Sequence, residues 1–272
     1  MVTISKIYKL VLSGIFMKRQ LYDLTDPAMF MFVDKVGKVL KEEEIPHNVV
    51  GGLAVQTYML DMFSKKYNCT ISDLVKNPDF RVQDYIRSTD DIDLALGIAG
   101  DDATKINRIT RFLPKLDFED IDPNEEAIIV LKLLRKGAYR STFLVFNDGV
   151  TSDENIISMN ISRGQEGDLY KLSHIWYNAF LDGSQTISLQ YNNTHSTSVQ
   201  VPKLEHLLSN KIAASRPKDI MDCSNLSDLL KDMEVKLDFN EMAKVLMPIY
   251  HDNFQHFLSN NYDGVSLESL TY

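Results

Sequence analysis

The chain has 272 residues, a formal net charge of −9, 44% hydrophobic and 25% charged residues, which is ordinary for a globular protein able to bury a sizeable core in one large or two small domains. The acidic balance disfavours broad, sequence-independent attachment to nucleic acid, although Lys203, Lys211, Arg216 and Lys218 leave room for a local basic patch. Cys69 and Cys223, the only cysteines, supply neither a disulfide framework nor a zinc pattern, no run is long enough to cross a bilayer, and the N-terminus lacks the layout of a secretory signal; a cytoplasmic protein without a membrane partner is expected.

Residues 1–45 read as helical. Thr25-Asp26 before Pro27 marks a helix start, after which Met29, Phe30, Val33, Val36 and Leu40 recur on one face as a packing stripe. Residues 47–50 form a short candidate strand, and Gly51-Gly52 permits a tight turn with backbone close to a ligand, or a plain turn. A helix over 53–63 follows, with N-terminal amides suited to phosphate. His47 has no acids clustered near it and reads as structural. Residues 64–86 are polar and irregular around Asn77-Pro78-Asp79, a long insertion that reads as a lid or a substrate-binding excursion.

The stretch Arg87-Ser-Thr-Asp-Asp-Ile-Asp-Leu-Ala-Leu96 puts two acids on an otherwise buried strand. Asp91 and Asp93 leave the same face, while Ile92, Leu94 and Leu96 leave the other. Side by side, the two carboxylates repel, and a cation between them relieves the repulsion. Oxygen-only ligands favour magnesium, manganese or calcium over zinc. Arg87 could touch a phosphate or pair with Asp90.

A helix is expected over 101–113, ending before Pro114, and strands over 127–134, 139–146 and 155–162, with Gly137 and Asn147-Asp148-Gly149 in the connections. Together these elements predict an α+β fold, a mixed sheet flanked by helices. Residues 166–202 read as a glycine turn, an aromatic cluster of Trp176, Tyr177 and Phe180 that packs helices or stacks a base, and a polar loop over 192–198 with an incidental His195. In 203–215 the residues Leu204, Leu207, Leu208 and Ile212 make an apolar helical face onto which Lys211 is also directed. The ammonium either reaches out of the core to water or points into a cleft. After Arg216-Pro217, Asp219 and Asp222 share a helix face. Asp219 could ligate metal, act as a base or hold Lys211; Asp222 could merely cap or hydrogen-bond the preceding turn. From residue 228 onward Leu229, Leu230, Leu237, Phe239, Met242, Leu246, Ile249, Tyr250, Phe254 and Phe257 read as a helical bundle.

Strand, Gly51-Gly52, helix, and then a strand bearing Asp91-x-Asp93 resembles the nucleotidyltransferase superfamily with the DNA polymerase beta fold. The Lys211-x-x-x-x-Arg216-x-Lys218-Asp219-x-x-Asp222 stretch is similar to the bacterial minimal nucleotidyltransferases and the AbiEii/AbiGii toxin group. The likeness touches three short blocks within residues 46–222. It implies an N-terminal helical segment (1–45), a nucleotidyltransferase core (46–165) and a C-terminal helical domain (166–272) that contributes Lys211 and Asp219 to the site.

The resemblance further implies Mg2+ or Mn2+ on Asp91 and Asp93, and an NTP such as ATP held by Gly51, Gly52, Arg87, Thr89, Arg216 and Lys218. Lys211 would neutralise the leaving phosphate oxygens, and Asp219 would stand in as the proton acceptor. The expected reaction moves an NMP to a hydroxyl on transfer RNA, a protein or a small molecule; membership of the toxin group would add a cognate antitoxin. One departure stands out: where many relatives carry a third carboxylate, the 155–162 run has Asn160, which cannot take up a proton at neutral pH. Asp153, Glu154 or a C-terminal acid replaces it, the third acid is dispensable, or the chain is a catalytically inactive module that binds a nucleotide or protein.

Overall fold

The computed structural model describes residues 28–87, 89, 91–99, 104–105, 129–136, 139–146, 149–151, 179–246 and 248–270. The 25–27 helix start, most of the 101–113 helix, the 155–162 strand with Asn160, and Asp153, Glu154, Trp176 and Tyr177 lie outside these residues. The first helix, α1 (Ala28–Glu42), buries Phe30, Val33, Val36 and Leu40 as their spacing predicts, together with Phe32. It closes where Glu44 turns left-handed (φ 55°) and the Ile45 N–H returns to the Leu40 carbonyl at 2.8 Å, which satisfies one of the orphan carbonyls at a helix end.

Strand β1 (His47–Val50) runs antiparallel to β2 (Asp91–Ala99), which is parallel to β3 (Ile129–Lys136); β4 (Tyr139–Phe146) and β5 (Gly149–Thr151) continue antiparallel. The sheet order is therefore β1-β2-β3-β4-β5. This is a mixed sheet with helices, and the α+β expectation holds at that level. Ile92, Leu94 and Leu96 on β2 are buried, as alternation requires.

Two stretches differ from their sequence reading. Helix α2 (Gly51–Tyr67) runs past 63, and the supposed irregular insertion folds into α3 (Ile71–Lys76), a 3-10 turn (Pro78–Phe80) and α4 (Val82–Tyr85). Thr70 caps α3 by accepting the Asp73 N–H at 3.2 Å, and Asn77 accepts the Asp79 N–H at 3.0 Å. Ile71, Leu74, Val82 and Ile86 are buried in the core, so the segment is ordered and packed against it.

The second difference is a hairpin, β6 (Gln185–Gln190) and β7 (Ser196–Val201), in place of a polar loop. Ile187 and Leu189 face inward with Thr197, Val199 and Val201, while Ser188 and Ser198 face solvent. Asn192 sets the turn by accepting the Thr194 and His195 N–H groups at 2.9 and 2.8 Å. Beyond it come α5 (Leu204–Ala214), α6 (Pro217–Asp232), α7 (Phe239–Val245) and α8 (His251–Asn261). Leu229, Leu230, Met242, Leu246, Phe254 and Phe257 are buried as expected, whereas Ile249 is exposed.

Phe32, Leu53, Leu94, Leu131, Val199, Leu208, Leu226 and Phe254 belong to one contiguous apolar core. All three sequence segments thus contribute to it, and the hairpin packs on α1, α2 and β1. Among the described residues no helix is long and apolar enough to cross a membrane.

Candidate functional site

The site begins where β1 becomes α2. Strand register sets Val50 opposite Asp93, so the next residue, Gly51, turns the chain directly against that carboxylate. Gly51 has φ +69°, and a Cβ on it would lie 2.6 Å from Asp93 Oδ2. A Cβ on Gly52 would lie 2.8 Å from Thr89 Oγ1 and 3.0 Å from Arg87 Nη2. Both positions need glycine because the start of α2 has carboxylate, hydroxyl and guanidinium packed onto its backbone. Val50, the cap residue, offers no side-chain acceptor. The positive end of the helix is thus held beside Asp93, Thr89 and Arg87.

Asp91 lies on the same strand two residues before Asp93, opposite Val130 on β3; its side chain is outside the described residues. The strand bonded directly to β2 is β3, which brings Lys132 to the register position beside Asp93.

The second half of the site comes from α5 and α6. Ser215 ends α5 in the left-handed region (φ 49°), with its N–H on the Lys211 carbonyl at 2.9 Å, and Pro217 opens α6. This sharp corner turns Asp219 and Asp222 back onto Lys211. Lys211 Nζ donates to Asp222 Oδ2 at 2.7 Å and to Asp219 Oδ1 at 3.0 Å. Arg87 grips Asp222 through Nε at 2.8 Å and Nη2 at 2.9 Å. Arg216 grips Asp219 through Nε at 2.5 Å and Nη2 at 3.2 Å.

The result is a chain of alternating charge, Arg87–Asp222–Lys211–Asp219–Arg216, with a surplus of one positive charge. Its middle is deeply buried: Lys211 and Asp222 are 3% exposed and Asp219 is 0% exposed. At the outer end, the Arg216 side chain is 59% exposed. Bidentate arginine–carboxylate pairs fix the guanidinium planes, and Gln56 Nε2 on the Arg87 carbonyl at 2.5 Å anchors the other end to α2.

Several sequence expectations change with this geometry. Lys211 neither reaches water nor projects a lone ammonium into a cleft; it neutralises two buried carboxylates. Asp222 accepts a hydrogen bond from Lys211 in the last turn of α5 rather than capping a turn, and it is also the carboxylate gripped by Arg87, a pairing that no local spacing announces. Burial pushes the Asp219 carboxyl up, but hydrogen bonds from Arg216 and Lys211 outweigh burial and hold it below the ordinary value. An acid so held is ionised at neutral pH and is a weak proton acceptor, so the charge-pairing role fits Asp219 better than that of base.

The basic patch also breaks up. Lys203 Nζ pairs with Glu241 at 3.1 Å, and Lys218 is exposed in the first turn of α6. His47 stays structural: its Nδ1 lies 3.1 Å from the Ile45 carbonyl, and burial holds its pKa below the usual value. Among the described residues no three His, Cys, Asp or Glu side chains gather as a metal cage. The acids of β2 offer only oxygen, which suits a hard cation held by one or two carboxylates and completed by a ligand's own phosphate oxygens. The same site offers that ligand fixed positive charge from Arg87, Arg216 and the start of α2. No protein-family model matches the chain, and no curated protein sequence matches it.

Proposed function

We propose that the chain is a metal-dependent nucleotidyltransferase of the polymerase beta-like superfamily, moving an NMP from an NTP to a hydroxyl acceptor. The observation that carries this reading is the convergence of segments far apart in sequence. Gly51-Gly52 abuts Asp93, Thr89 and Arg87, and Arg87 is joined through Asp222 to Lys211 and, through Asp219, to Arg216. Acids on a strand beside a glycine-started helix and fixed arginines are what an anionic, metal-chelated substrate requires.

Asp91 and Asp93 would hold Mg2+ or Mn2+, which when bound supplies Lewis-acid charge at the phosphate oxygens. The N-terminal amides of α2 bind the outer phosphates, and Arg87 and Arg216 orient them. Lys211 acts one step back: it pairs with Asp219 and Asp222, and those carboxylates hold the arginines in place. The acceptor oxygen forms a bond to the α-phosphorus as the bond to the bridging oxygen breaks, pyrophosphate leaves, and the hydroxyl proton passes to solvent or buffer. Catalysis of this kind rests on positioning and electrostatics more than on a strong base.

A second reading, a nucleotide-binding module without turnover, is favoured by one observation: Asp219 is committed to Lys211 and Arg216. Incubation with Mg2+, each α-labelled NTP, and total RNA or protein separates the two. The expected result is a labelled acceptor with wild type and at least about a hundredfold loss in Asp93→Asn, the scale of losing a transition-state electrostatic contact. Nucleotide binding without labelling under every acceptor supports the silent module; equal labelling by Asp93→Asn overturns the enzyme assignment. An antitoxin partner belongs to the toxin-group part of this proposal and is tested by co-purification.

A further inference from the structure

A second cleft lies along α6, beyond the paired-charge chain. It is lined from one side by the folded 64–86 segment and from the other by the last turns of α6, and has a volume of about 500 Å³, within the range of about 300–1,000 Å³ common for small-molecule sites. The cleft begins at Asn225, one turn beyond Asp222, and Asp228 lies about 9 Å farther along the helix than Asp222 at about 1.5 Å per residue; its lining shares no residue with the paired-charge chain.

Its floor is aromatic. The Tyr67 and Phe80 rings stack with centroids 4.1 Å apart and planes 17° from parallel, and Tyr85 meets Phe63 edge-on at 5.4 Å. Its walls are acidic, with Asp79 and Asp84 from the 64–86 segment facing Asp228 and Asp232 from α6. Against these carboxylates the described lining carries two cations, Lys66 and Arg81, both already engaged. Arg81 pairs with Asp84 at 2.6 Å, and Lys66 pairs with Asp232.

Lys66 shows what chemistry the cleft accepts. Its ammonium sits 5.0 Å from the Tyr67 ring centroid while bonding Asp232, the combination of π face and carboxylate that attracts an alkylammonium group. Asp79 and Asp228 carry the remaining negative charge; Lys231 approaches Asp228 only to 3.6 Å, in an exposed pair that contributes little.

Phosphate or nucleotide would be repelled by this lining, and a purely apolar ligand would desolvate carboxylates without compensation. A bare metal ion would gain nothing from the rings. We propose that the cleft binds a linear aliphatic polyamine, its methylene chain lying on Tyr67 and Phe80 and its ammonium groups on Asp79 and Asp228. This site is independent of the nucleotidyl-transfer reading, and either can fail without the other.

Equilibrium dialysis of the full chain with labelled spermidine, at about 150 mM salt to screen diffuse attraction, tests it. One saturable site per chain is expected. The double variant Asp79→Asn/Asp228→Asn should weaken binding at least about tenfold, and Phe80→Ala about threefold, the scale of losing the burial of roughly one methylene. Glu42→Gln/Glu268→Gln, which removes two exposed acids outside the cleft, should leave binding unchanged. Non-saturable uptake, or equal weakening by both double variants, would show diffuse charge attraction and overturn the proposal. Tetralysine binding more tightly than spermidine at the same residues would overturn the ligand class in favour of a basic peptide. Because Asp79, Asp228 and their control counterparts are exposed, these variants retain the fold, and circular dichroism verifies it.

Discussion

At the scale of single residues, Lys211 shows how far a role can move between sequence and structure. Its place on the apolar stripe of α5 was legible from spacing, but whether the ammonium escaped to water depended on what the next helix brought to it. Asp219 and Asp222 meet it with exposures of 0% and 3%, so its charge is used inside the protein. Lys211→Ala leaves two buried carboxylates short of a cation and is expected to destabilise the fold by about 3–5 kcal/mol, read by urea unfolding. A loss below about 1 kcal/mol, the range of an exposed pair, would mean that the chain of charges is not buried as described. The glycines were more transparent. Paired glycine between a strand and a helix suggested a close approach, and the +69° of Gly51 and its crowding against Asp93 supply the reason.

At the scale of elements, ion pairs fasten helices to one another. Glu241 on α7 accepts from Lys203, at the start of α5, and lies 3.0 Å from His206 Nε2. Hydrogen bonds from Lys203 and then His206 pull its pKa from 4.5 down to about 2. Because the folded value lies below the unfolded one, this stabilisation is fully present above about pH 4.5 and is lost as pH falls through about 2. Asp219, also held below its ordinary value, loses its contribution in the same direction. The melting temperature of wild type should therefore exceed that of Glu241→Gln at neutral pH, with the gap closing below about pH 2; a gap that persists in acid would assign the effect to packing. Elements differed in how plainly the sequence announced them. β4 was readable to its ends because the turn-forming residues Gly137 and Asn147-Asp148-Gly149 flank it in the sequence. The β6–β7 hairpin was hidden by its serines, threonines and asparagines, although Ile187, Leu189, Val199 and Val201 alternate as a strand should.

For the whole molecule, the shared core decides the cooperativity. Residues from α1, the sheet, the hairpin and the C-terminal helices belong to one apolar cluster, so the described parts of the three segments share a core. Thermal unfolding should then be a single transition with calorimetric and van't Hoff enthalpies in agreement; two resolved transitions in a scan would instead indicate a C-terminal domain that unfolds separately. The same core explains why the 64–86 segment is folded rather than irregular. Ile71, Leu74, Val82 and Ile86 are spaced too irregularly to reveal a helix period, yet each finds the core, because short capped helices can turn isolated apolar residues inward.

The sequence by itself determined the local rules. Alternation put Ile92, Leu94 and Leu96 inside and left Asp93 on the other face, glycine allowed a strand to enter a helix without a side chain, and Arg216-Pro217 broke one helix from the next. Those are properties of the backbone over a few residues. Only the tertiary structure decided that Arg87 finds Asp222, 135 positions away, and that Lys211 is enclosed by carboxylates. Charge pairing at that range depends on how the strand and helices are packed together by the apolar core, and no local pattern encodes the distance between them.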